Sequence, residues 1–120
     1  MPPLTDPDRL QAISDALSNW NCTGFIRLEL SETAQDYLRD ELGITSAKEL
    51  GRLLFGYFAS GGGIDEVPEV RPGWLEDWDY HHDFRLTING RRVYVEVRLC
   101  CSFPFRPDES SILVVNIHDV

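Results

Sequence analysis

The chain has little lysine, methionine or cysteine, and it is short of positive charge altogether. Lys48 is the only lysine and Met1 the only methionine in 120 residues. Eleven basic residues stand against twenty acidic ones, a formal charge of −9. Such a field disfavours nucleic acid, whose non-specific affinity comes from cations that displace phosphate counterions. It equally disfavours anionic membrane surfaces, and it suits a basic protein partner. No apolar run approaches the roughly 18 residues of a membrane span. The start, Met1-Pro2-Pro3-Leu4-Thr5-Asp6, lacks the basic segment and apolar stretch of a signal peptide, so a cytoplasmic protein is expected. Three cysteines, an odd number with Cys100 next to Cys101, argue against a disulfide framework.

Catalytic signatures are also missing. Gly61-Gly62-Gly63 follows a helical pattern and precedes no Gly-Lys-Ser/Thr, so it is a terminator and not a phosphate loop. There is no nucleophile elbow and no Ser-His-Asp order. Of the ligand types His81, His82, Asp83, Cys100, Cys101 and His118, the adjacent cysteines do not have zinc-module spacing. His81 and His82 are strand neighbours and point to opposite faces. No metal and no cofactor is expected.

What is present is an ordinary globular composition. With 42% hydrophobic and 26% charged residues, the chain has enough apolar surface for one core. One domain over 1–120 is expected. Asp6 and Pro7 read as a helix start, followed by Leu10, Ile13, Leu17 and Trp20 at helical spacing to about residue 20, with Asn21-Cys22-Thr23-Gly24 as the stop. Residues 25–30 alternate as a short strand. Ser31 suits the cap of a second helix at about 32–42, stopped by Gly43. Ser46 and Glu49 form a capping box before a stripe of Leu50, Leu53, Leu54, Tyr57 and Phe58. Residues 61–78 carry four glycines and two prolines and read as a long mobile loop, which Trp74 and Trp78 pin to the body. Strands are expected at about 79–88, 92–100 and 111–118. The fold class is therefore α+β: three N-terminal helices and a short strand, packed on one face of a C-terminal antiparallel sheet built on the 80–99 hairpin.

That hairpin carries the most information. Asn89-Gly90 between two alternating runs specifies a two-residue type I′ turn, because both residues accept positive φ. Ile88 then faces Arg91, Leu86 faces Val93, Phe84 faces Val95 and His82 faces Val97, giving one apolar face. His81, Asp83, Arg85, Arg92, Tyr94, Glu96 and Arg98 line the other. A slip of one residue would spoil both faces, so the register is well specified. Asp83 opposite Glu96 is a like-charge pair, relieved in this reading by the diagonals Asp83–Arg98 and Glu96–Arg85.

Two readings of the polar face follow. One is a solvated lattice of ion pairs worth roughly 0–1 kcal/mol each. The other is a site, with His81, Asp83, Tyr94 and Glu96 as candidate catalytic groups and Arg85, Arg98 and His81 as candidate ligand-binding groups. In order of elements and in residue types, helices followed by a sheet bearing His, Arg, Glu and Tyr resemble small RNA-cleaving toxins of the RelE kind. The acidic charge departs from that basic family. The favoured expectation is a small soluble interaction or regulatory domain, resting on the acidic charge and on aromatic loops at 74–78 and 103–105. A small hydrolase or RNA-cleaving enzyme using the polar face is the alternative, and homo-oligomer formation through a sheet edge is a third.

Overall fold

The computed structural model describes residues 3–19, 22–23, 36–100 and 110–120. Along the chain lie α1 (Pro7–Ser18), β1 (Cys22–Thr23), α2 (Tyr37–Leu42), α3 (Ala47–Ala59), β2 (Ile64–Pro68), α4 (Pro72–Leu75), β3 (Tyr80–Ile88), β4 (Arg91–Cys100) and β5 (Ser111–Asp119). The strands form one sheet in the order β1-β5-β4-β3-β2. All neighbours are antiparallel except β1, which runs parallel to β5. The α+β class is as expected. No helix of the described residues is long and apolar enough to cross a membrane.

The helix starts obey local chemistry. Asp6 caps α1 by accepting from the amides of Asp8 (2.8 Å) and Arg9 (3.1 Å), and Ser46 caps α3 through the Glu49 amide (3.1 Å). The helix α1 ends at Ser18, earlier than the spacing predicts. The side chains of Ser18 and Asn19 both bond to the Asp15 carbonyl and compete with continued winding. The described part of the second predicted helix, Tyr37–Leu42, is π-wound and stops at Gly43 with φ 68°. Cys22 and Thr23 form a two-residue strand on β5 and not a helix-terminating turn. The predicted strand at 25–30, the Ser31 cap and the 103–105 aromatics lie outside the described residues, as does Cys101.

One core joins helices and sheet. Ala12, Ile13, Ala16 and Leu17 of α1, with Leu50 and Leu54 of α3, meet Phe84, Leu86, Val93, Val95, Val97, Ile112, Val114 and Ile117 of the sheet. Leu53, Tyr57 and Phe58 pack at its margin, and the Tyr57 and Phe84 rings are 6.1 Å apart. At the end of α3, Gly62 lies so close to Tyr57 that a Cβ there would overlap the ring. The Tyr57 hydroxyl donates to the Gly63 carbonyl at 2.6 Å and fixes this approach.

The hairpin register is the predicted one, from His82–Val97 through Asp83–Glu96 to Ile88–Arg91. Asn89 (φ 51°) and Gly90 (φ 81°) supply the two positive dihedrals of the turn. The 61–78 region corrects the sequence reading, because it is not a structureless loop. Ile64–Pro68 pairs with β3 as the sheet's edge strand, and Pro72–Leu75 makes a helical turn. Proline is tolerated at such an edge, where one amide needs no ladder partner. The connection between β2 and β3 closes through the Glu69 amide to the Asp79 carbonyl (2.8 Å) and folds back over the sheet.

Candidate functional site

The polar face is dry around Asp83, Glu96 and Arg98 and open toward the turn, where Thr87 and Arg92 are exposed. In β4 every residue from Val95 to Leu99 is buried, so the strand is covered on both sides. The helices cover one side. On the other, residues 69–78 supply the cover: the Trp78 indole donates to the Leu99 carbonyl (3.1 Å), and the Trp74 ring lies 4.7 Å from the Arg98 guanidinium. The expectation that the tryptophans pin this segment is met.

Beneath that cover is a closed ring of four charges. Arg98, with no exposed surface, donates to Glu96 Oε2 (2.8 Å) and to Glu69 Oε2 (2.5 Å). Arg71 donates to Glu69 Oε1 (3.0 Å) and also to Glu96 Oε2. Each arginine thus touches both glutamates. Burial pushes both glutamate carboxyls up, but the bonds from Arg71 and Arg98 outweigh it and hold them below the usual range. The ring ties strand β4 to the 69–71 segment.

The predicted diagonals do not form. Arg98 turns to Glu96 and Glu69, and Arg85 pairs with Asp65 of β2 and lies over the Tyr94 ring at 5.3 Å. The reason is that β2 and the segment after it bring acids to this face, and each arginine takes the nearest. Arg85 and Arg98 therefore belong to separate ion-pair networks. The carboxylate Asp83 is relieved differently: its Oδ1 lies 2.7 Å from His81 Nδ1. Its Oδ2 is buried without a hydrogen-bond partner among the described residues. An unsatisfied buried carboxylate oxygen costs about 1–3 kcal/mol or more.

The structure therefore brings together the four candidate catalytic groups, His81, Asp83, Tyr94 and Glu96, with Arg98 bonded to Glu96 beside them. The Tyr94 hydroxyl donates to Glu96 Oε1 at 3.4 Å. Burial raises its pKa, reinforced by the charges of Asp83 and Glu96. The other side of Tyr94 stacks on His118, with ring centroids 4.7 Å apart. A β-bulge between Glu96 and Val97 sits at the centre of this group, a common device for re-aiming a strand's side chains. The sequence reading missed Glu69, Arg71 and Asp65. The available signal was an acid and an arginine two residues apart beside a tryptophan pair, Glu69-x-Arg71-x-x-Trp74.

A second polar group lies on the helix-covered side. Glu66 accepts from Arg9 Nε (2.6 Å) and Nη2 (2.9 Å) and lies 3.2 Å from His82 Nε2. Burial lowers the His82 pKa, against the opposing pull of Glu66. Elsewhere, a groove of about 270 Å³ runs between α3 and β3, lined by Arg52, Leu53, Gly56, Tyr57, Ser60, Leu86, Thr87 and Ile88. It contains none of the candidate residues. No family model, curated protein or solved structure matches this chain.

Proposed function

We propose that this protein is an interaction domain that docks a basic partner through the 69–79 segment. One observation carries the reading. The segment is anchored from below by a buried ionic ring, and it turns apolar side chains outward. Val70 is 77% exposed and Leu75 is 49% exposed, and they are two of the three large apolar side chains most open to solvent among the described residues. Exposed Glu76, Asp77 and Asp79 flank them on a chain of charge −9. An apolar anchor ringed by acid fits a partner that presents an apolar side chain among lysines or arginines. A surface ordered before binding loses less entropy on binding, which is the advantage of the ring beneath.

The catalytic alternative has weaker support. Its carboxylates Asp83 and Glu96 and its arginine Arg98 are buried, and residues of the 69–78 segment lie against Glu96 and Arg98. A substrate would have to displace that cover.

The test is photo-crosslinking from position 75 in the cells that make the protein, followed by calorimetry with the partner so identified. A specific adduct, binding weakened at least tenfold by Val70→Asp or Leu75→Asp, and affinity that falls with added salt are expected. A partner whose affinity ignores both substitutions would refute the reading, as would an adduct formed equally from exposed position 52.

A further inference from the structure

We propose that His81, Asp83 and Glu96 form a three-ligand site for a first-row divalent cation of the Mn²⁺, Fe²⁺ or Zn²⁺ class. One imidazole nitrogen and one oxygen from each carboxylate lie within 4.8 Å of one another. Around an ion held at about 2.1 Å, donor atoms stand roughly 3–4 Å apart, so small side-chain rotations close the set.

Two independent observations point to a ligand here. Asp83 is 1% exposed, and its Oδ2 has no hydrogen-bond partner among the described residues, although native proteins pair nearly all such atoms. The charges also do not balance. Glu69, Asp83 and Glu96 are three buried carboxylates, against the two guanidinium groups of Arg71 and Arg98. Both arginines engage Glu96 through Oε2, which leaves Oε1 toward the Tyr94 hydroxyl at 3.4 Å. Arg85 does not correct the balance, since it is paired with Asp65, and the group facing Asp83 is His81 Nδ1 at 2.7 Å, itself one of the proposed ligands.

The donor set selects the ion. One nitrogen and two carboxylate oxygens suit the middle of the first-row series and not a soft thiolate-binding ion, and an imidazole ligand disfavours Ca²⁺ and Mg²⁺. Three protein ligands leave coordination positions for water. His81 is the ligand nearest solvent, with 13% of its side chain exposed, and gives the path of entry. The site adjoins the 69–78 segment through Glu96 and Arg71 but does not depend on that segment binding a partner.

The experiment is a titration of chelator-treated protein with Zn²⁺ and Mn²⁺, with Mg²⁺ and Ca²⁺ as comparators. Calorimetry should show one equivalent of Zn²⁺ or Mn²⁺ and at least tenfold weaker Mg²⁺ and Ca²⁺. In the unaltered protein, Zn²⁺ should shift the His81 ring and the Asp83 and Glu96 carboxyl carbons in NMR spectra, and leave the His118 ring in place. Asp83→Asn, which keeps the shape, should weaken binding by more than the roughly 10- to 100-fold that losing an outer partner causes. His118→Gln should bind as before. Failure to saturate at one equivalent would overturn the site. So would shifts confined to His118 or to the surface acids Glu76, Asp77 and Asp79.

Discussion

Replacing Arg98 by methionine tests the buried ionic ring most sharply. Methionine keeps most of the side-chain volume, so little of the effect comes from a cavity. What is lost is the cation between Glu96 and Glu69, whose side chains are 6% and 0% exposed. Arg71 remains, but its side chain is 46% exposed and it must then serve both carboxylates from one side. Removing one partner of a buried ion pair costs about 3–5 kcal/mol, because the stranded charge keeps its desolvation penalty. An exposed pair would give at most about 1 kcal/mol. The assay is urea unfolding. With an m-value of about 1.5 kcal/mol/M for a small protein, Arg98→Met should lower the midpoint by about 2–3 M. Arg85→Ala is the internal contrast: Arg85 and Asp65 are 33% and 23% exposed, so it should cost about 1 kcal/mol or less. Adding Glu69→Gln and Glu96→Gln to Arg98→Met should recover part of the loss, since the two buried carboxylates are then neutral and the cation left over, Arg71, is 46% exposed. A loss below about 1 kcal/mol for Arg98→Met alone would refute the reasoning, because it would mean that water reaches the ring.

Leu54→Ala should cost about 2–5 kcal/mol, since Leu54 is fully buried between α3 and the sheet; thermal or urea unfolding measures it. Gly62→Ala should cost about 1–3 kcal/mol, because the added Cβ displaces the Tyr57 ring and its bond to Gly63; the Tyr57 ring signals in NMR should shift with it. His82 predicts a pH dependence. Its folded pKa is lowered, so below the unfolded value of about 6.5 the unfolded chain binds more protons. That contribution to stability is fully present above about pH 6.5 and is lost as pH falls toward the folded value, with a slope of at most about 1.4 kcal/mol per pH unit. Urea midpoints between about pH 5.5 and 7.5 should show the slope in the unaltered protein and lose it in His82→Gln.

Much of this fold was legible because its signals are local. Asn89-Gly90 fixes two dihedrals and through them the whole β3–β4 register. Asp6, Ser46 and Gly43 mark helix ends through one or two bonds each. β2 was not legible for the opposite reason. Ile64-Asp65-Glu66-Val67-Pro68 is short, acidic and ends in proline, and it is a strand only because β3 offers an edge to pair with. The site was half legible. The alternation in β3 and β4 correctly placed His81, Asp83, Tyr94, Glu96 and Arg98 on one face. Whether that face was wet or dry depended on Glu69, Arg71 and Trp74 folding back from another part of the chain. No local pattern encodes that return. For the same reason the diagonal pairing failed: Glu69 and Asp65, from outside the hairpin, captured Arg98 and Arg85, and Arg98 also turned along its own strand to Glu96.

The central claim is that residues 69–79 are locked onto the sheet in the free protein. Hydrogen exchange at the Trp78 indole, bonded to the Leu99 carbonyl, and at the Glu69 amide, bonded to the Asp79 carbonyl, tests it directly. Both should exchange at least about a thousandfold more slowly than unstructured references, the factor given by about 4 kcal/mol of opening free energy. Exchange within about tenfold of the unprotected rate, with the β3–β4 amides still protected, would show the segment loose on an intact sheet and contradict the account.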